Sequence, residues 1–182
     1  MRRSDHVQHV LDQWRRELPE LDRSPFGVVG RIARLAQLLQ AELEPIFASH
    51  GVNGGEFDVL AALRRAGRPY RLTPTELSTA LITTSGGMTK RLNALQDRGL
   101  IRREPDSSDG RSVAVLLTRE GKRLVEQVLV AHVANEKRLV SGLSAKELAA
   151  LASLLKSLAI SLGDEADARM RIQAQARRAK IA

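Results

Sequence analysis

The stretch from Leu72 to Gly121 constrains the fold more tightly than any other part of the chain. Thr73, Pro74 and Glu76 spell a helix start, a capping threonine with proline in the first turn and a glutamate three residues on. That helix, running to about Leu81, is too short to stand alone and must pack through Leu77 and Leu81. A second helix is expected to open near Thr84-Ser85 and to end at Gly99, a residue type that terminates helices. Residues 100–104 and 112–117 then read as strands around the polar turn EPDSSDG. The order is helix, turn, helix, wing. It offers a helix sized for a major groove, with a basic hairpin beside it for the backbone or minor groove.

The flanks read as helices. Ser4 is expected to cap a first helix with Val7, Val10, Leu11, Trp14 and Leu18 on one side. Ser24-Pro25 starts a second, whose apolar stripe from Phe26 through Leu43 to Ile46 reaches about His50-Gly51, with Pro45 expected to kink or loosen its last turn. Asn53 and Glu56 form a capping box for a third helix through Arg65. Thr118 opens a long helix up to Gly142, and Ser144 with Glu147 caps another. In that last helix Leu148, Leu151, Leu155, Leu158 and Leu162 alternate by three and four, a coiled-coil-like seam that faces either its own core or a second subunit. A dimer contact made with the N-terminal elements is expected. The fold class is therefore mainly α with a small β wing, one domain overall. Residues 1–23 form an additional N-terminal helix, 24–52 and 118–182 dimerisation helices, and 53–117 the winged helix-turn-helix.

Charge agrees with this reading. A formal net charge of +8 over 182 residues points to a polyanionic partner, most simply nucleic acid. The absence of cysteine excludes disulfides, thiolate metal sites and cysteine-based redox sensing. His6, His9, His50 and His132 lack metal-binding spacing, so neither metal nor cofactor is expected. No nucleophile–base pair points to an enzyme, and TTSGGMTK lacks both the spacing and the Gly-Lys-Ser/Thr ending of a phosphate loop. No apolar run approaches the roughly 20 residues that span a bilayer. The N-terminus has no signal-like apolar stretch, so a cytoplasmic protein without membrane partners is expected.

Within the second helix of the central segment, Met88, Leu92 and Leu95 form the inward side. Thr84, Ser85, Gly86, Thr89, Lys90 and Asn93 remain for DNA, since hydroxyls, backbone N–H groups and a lysine at a helix N-terminus suit phosphate and base-edge contacts. Gly86 and Gly87 fit either close approach to a DNA backbone or a tight turn. In the wing, Asp109 stands two residues before Arg111 and can aim that guanidinium toward a minor groove; an ordinary surface salt bridge is the alternative. Asp58 is the odd residue of its helix, a carboxylate inside the apolar run Phe57 to Leu63 with Arg65 two turns on. Trp14 is the single tryptophan. Read from their surroundings, Trp14 fits a core anchor and Asp58 a solvated or ion-paired residue, as well as ligand contacts.

Asp109-Gly110-Arg111 followed by Val113, Val115, Leu117-Thr118 and Gly121, together with the run SGGMTKRLNALQDRGLIRR, resembles the winged helix-turn-helix of the MarR family of bacterial transcriptional regulators. The resemblance implies a homodimer with intertwined terminal helices on pseudo-palindromic double-stranded DNA, usually a repressor released by a small ligand or by oxidation. Without cysteine, thiol oxidation is excluded. The additional N-terminal helix and the text EFDVLAALRRAG are similar to the urate-responsive subgroup of that family. This similarity implies a ligand site for urate or a related purine at Trp14, Asp58, Arg91 and Arg103, with Arg102 one position from the last assignment. Release by a phenolic or carboxylic acid, and a DNA-binding protein without any effector, are the alternatives.

Overall fold

The structure is a computed structural model that describes residues 4–81, 87–106 and 109–164; for 106 and 109–112 the description is of the backbone. Helix α1 (His6–Glu17) is capped by Asp5, whose carboxylate accepts from the Gln8 amide at 2.6 Å, rather than by Ser4 as the sequence suggested. A carboxylate at the N-cap meets the helix dipole with full negative charge. Helix α2 (Ser24–Ser49) has no side-chain cap of its own; Asp22 accepts from the Ser24 amide instead. It runs through Pro45 to Ser49, so the proline does not end the helix.

Helix α3 (Gly54–Arg65) carries the expected capping box, Asn53 accepting from the Glu56 amide and Glu56 from the Asn53 amide, at 2.9 and 3.1 Å. Helix α4 (Pro74–Ala80) repeats the device through Thr73 and Glu76. Helix α5 (Met88–Asp97) has Gly87 as its N-cap at φ +90, outside the helical range, and the expected start at Thr84-Ser85 lies outside the described residues. Strand β1 (Arg71–Leu72), not foreseen from two residues of sequence, pairs with the far side of strand β3 (Asp109–Leu117). Strand β2 (Ile101–Asp106) flanks β3 on the other side, giving an antiparallel sheet in the order β1-β3-β2. Against the expected 100–104 and 112–117, β2 begins one residue later and runs on to Asp106, and β3 begins earlier, at Asp109.

Helix α6 (Arg119–Leu139) begins at Thr118, which accepts from the Gly121 amide and donates to the carbonyls of Gly99 and Leu100. One hydroxyl thus ties the end of α5 to the start of α6. The approach is close: a Cβ on Gly121 would collide with the Leu100 carbonyl oxygen and lie 2.9 Å from its carbon. Helix α7 (Ala145–Ser161) follows the expected Ser144/Glu147 capping box. Leu60, Leu63, Leu77, Leu95, Ile101, Val115, Val125 and Val128 form a closed core under the sheet and α3–α6. The α2–α6 contact continues it through the stacked rings of Phe47 and Phe57, with His132 against both, and through buried Asn135, whose amide donates to the Glu42 carbonyl at 3.0 Å. No described helix is long and apolar enough to cross a membrane.

Candidate nucleic-acid interface and ligand site

Helix α5 separates its two faces cleanly. Leu92 and Leu95 are buried and Met88 packs partly beneath them, as the spacing predicts. Thr89, Lys90 and Asn93 are exposed and, at i, i+1 and i+4, share the opposite face. Of the other candidate DNA contacts, Thr84, Ser85 and Gly86 lie outside the described residues. Asp109 and Arg111 are placed in β3 by backbone alone.

Two arginines seat α5 on the first turn of α3. Arg98, at the end of α5, donates to Glu56 Oε2 at 3.3 Å, and that carboxylate is buried while also closing the α3 capping box. Arg91, two turns earlier on the same side, lays its guanidinium over Gly55. The two supports differ in chemistry. Arg98 meets a negative charge, whereas Arg91 lies over bare backbone at the positive end of a helix dipole, and its Nη1 is shut from solvent with no hydrogen-bond partner among the described residues. Neither Gly55 nor Glu56 was singled out as a site residue from sequence. The capping-box role hid the second function of Glu56, and nothing in a glycine's type announces what fills the space above it.

Asp58 lies one turn beyond Gly55 on α3, half-buried and engaged in a polar interaction of its own. Arg65, two turns on, donates to the Ala80 carbonyl at 2.6 Å and so braces α4. Arg103 is half-buried on β2 and donates to Asn93 Oδ1 at 2.8 Å, while Arg102 is exposed and paired with Glu104. Of the two neighbouring arginines it is therefore Arg103 that faces α5. The structure sets Asp58 one turn beyond Gly55, the residue under Arg91, and joins Arg103 to α5 through Asn93. It leaves Trp14 on α1, 43% exposed, on a helix packed chiefly against α2, so one chain does not enclose it with the other three. Among the described residues no group of side chains has the composition of a metal site.

A MarR-family sequence model matches residues 50–112, the stretch that holds α3 to the wing. The regulator PecS of Dickeya dadantii is 38% identical over 155 residues, covering 85% of this chain and 93% of its own. The chain belongs to the MarR family. It is a DNA-binding transcriptional regulator, and its relatives are regulators rather than enzymes. Among solved structures, the MarR-family regulator AbsC of Streptomyces coelicolor shares the fold with a TM-score of 0.70 at 23% identity, covering 80% of this chain and 98% of that one. Sco3205 of the same organism, solved in complex with DNA, aligns with a TM-score of 0.69 at 25% identity, covering 81% and 92%.

Proposed function

We propose that this MarR-family regulator is a homodimeric repressor of a pseudo-palindromic operator, released by urate or a related flat organic anion. Helix α5 enters the major groove with Thr89, Lys90 and Asn93 outward, and Thr84, Ser85, Gly86, Asp109 and Arg111 complete the DNA contacts. The effector sits at the α3–α5–β2 junction. There Arg91 and Arg103 pair with its anionic oxygens, Asp58 accepts from ring N–H groups, and Trp14 supplies an aromatic face.

The observation that carries the effector reading is the buried Nη1 of Arg91, a guanidinium N–H with no acceptor beside a helix that carries a carboxylate one turn away. Such a group gains a charge-assisted hydrogen bond from an anion at little cost in further desolvation. The Arg103–Asn93 bond supplies a route from that site to the DNA face. With Oδ1 of Asn93 accepting from Arg103, the amide is held in one orientation and one of its two acceptor positions is filled; a ligand that draws Arg103 inward releases both and changes what Asn93 presents to DNA. The dimer reading rests on α7, a leucine-rich helix without a buried residue in the single chain.

The test is a gel shift on duplexes that the wild-type protein selects from a randomised pool, titrated with urate and separately with xanthine. Release by urate at concentrations where an unrelated carboxylic acid has no effect is the expected result. Release only by phenolic or carboxylic acids, or by none of them, removes urate. Asp58→Asn is expected to leave DNA affinity within about twofold and to raise the urate needed for half-release about tenfold, the loss of one charged contact. Equal release of wild type and variant takes Asp58 out of the mechanism.

A further inference from the structure

Beside its buried leucines, helix α5 meets α3 through two arginines, and among the described residues only Arg98 has a carboxylate partner. Arg98 has Glu56. Arg91 has Gly55, and the fit depends on a missing atom: a Cβ there would lie 2.5 Å from Cζ of Arg91, 2.9 Å from Nη2 and nearer still to Nε. Any residue other than glycine at this position therefore displaces the guanidinium. The displaced atoms are the far end of a flexible side chain, and Gly55 is in the first turn of a well-capped helix, where alanine is a better helix former than glycine. The substitution should thus evict Arg91 without unfolding α3.

We propose that Gly55 is a positioning residue for DNA binding: its bare backbone is the seat of Arg91, and that docking fixes the angle of α5 on α3. This rests on the reading of α5 as the DNA-facing helix. The docked state is weakly held, a cation at the positive end of a helix with one N–H unmet, so it responds to small changes around it. Its geometric consequence is large, because Arg91 and Arg98 are seven residues apart on one side of a helix and together define its tilt. Gly55 acts only through Arg91 and touches no DNA.

A double-mutant cycle on selected duplexes tests the idea, at low salt so that weakened variants remain measurable. Gly55→Ala is expected to weaken DNA binding about fivefold or more in the wild-type background and less than about twofold in the Arg91→Ala background. Circular dichroism and melting are expected to show all variants folded, a readout that a purely structural role for Gly55 would move. An unchanged or tighter affinity of Gly55→Ala in the wild-type background, or an equal loss in both backgrounds, overturns the proposal. Lys90→Ala separates this failure from failure of the underlying reading. If it leaves both affinity and salt dependence intact, α5 does not face DNA; if it weakens binding while Gly55→Ala does not, only the role of Gly55 falls.

Discussion

The winged-helix region and the helical frame around it satisfy their apolar residues in opposite ways. From α3 to the start of α6, most of the described large aliphatic side chains are closed off within one chain: Leu60, Leu63, Leu77 and Leu95 have no exposed surface, while Val113 on the wing is exposed. In the frame, side chains of the same type face outward. Leu35 and Leu38 on α2, Val130 on α6, and Leu151, Leu154 and Leu155 on α7 are all exposed, Leu154 by 70%. An apolar surface this extensive marks an interaction site. The core of the reading head is closed within one chain, whereas the frame leaves an apolar surface that the proposed second copy would cover.

Core truncation should give the largest effect. Leu95→Ala empties a fully buried site where α5 meets α3 and the sheet, and should cost about 2–5 kcal/mol. Thermal melts would show the loss at every protein concentration. Leu154→Ala removes a side chain of similar size from the frame, and its cost should appear only as far as dimer formation contributes, so that it varies with concentration. If both variants melt lower by the same amount at all concentrations, the division between head and frame is wrong.

Charging the frame comes next. Leu151→Glu with Leu155→Glu places two carboxylates in the α7 seam, where burial against a second copy would be prohibitive. Sedimentation is expected to give a monomer that retains its helical signal but loses high-affinity binding to a palindromic duplex. A half-site duplex should still be bound weakly, through phosphate contacts. A dimer that survives both charges would place the self-contact elsewhere. A smaller loss is expected inside the head: Asn53→Ala removes the α3 cap and should cost about 1 kcal/mol by denaturant melts.

The same division explains what was legible in the sequence. Capping boxes are local, so Asn53/Glu56, Thr73/Glu76 and Ser144/Glu147 could be read directly, and all three are present. The inward residues Leu92 and Leu95 followed from helical periodicity. The misses required knowledge of what lay across the fold. Asp5 displaced Ser4 as the first cap because its carboxylate also meets Arg31, 26 residues away. β1 exists because β3 offers it an edge, not because Arg71-Leu72 favours a strand. Arg65 donates to the Ala80 carbonyl on α4, a contact that its spacing from Asp58 did not suggest. At the candidate ligand site the residue types were legible but their pairing was not. Arg103 joins Asn93 and Arg91 covers Gly55, contacts that cross between elements and leave no mark on local spacing.

The smallest expected effect tests whether α1 belongs to the frame as a separable strap. Asp5 caps α1 and receives the Arg31 guanidinium from α2 at 2.7 and 3.2 Å. The Arg31 hydrogen bond, with help from the Gln8 amide, holds the Asp5 carboxyl below its ordinary value of 3.8. A carboxylate with a depressed folded pKa contributes stability that is present above the unfolded value and lost as pH falls through the folded one. The pair is exposed, so its contribution is small and screened by salt. After correction for intrinsic exchange rates, α1 amides are expected to lose hydrogen-exchange protection as pH drops below about 3.8, while α3 and α5 keep theirs. Asp5→Asn retains a capping oxygen but not the ion pair, and should show reduced α1 protection at neutral pH with little further change in acid. If α1 and the core lose protection together in wild type, the frame and the reading head unfold as one unit, and their different burial does not translate into different stability.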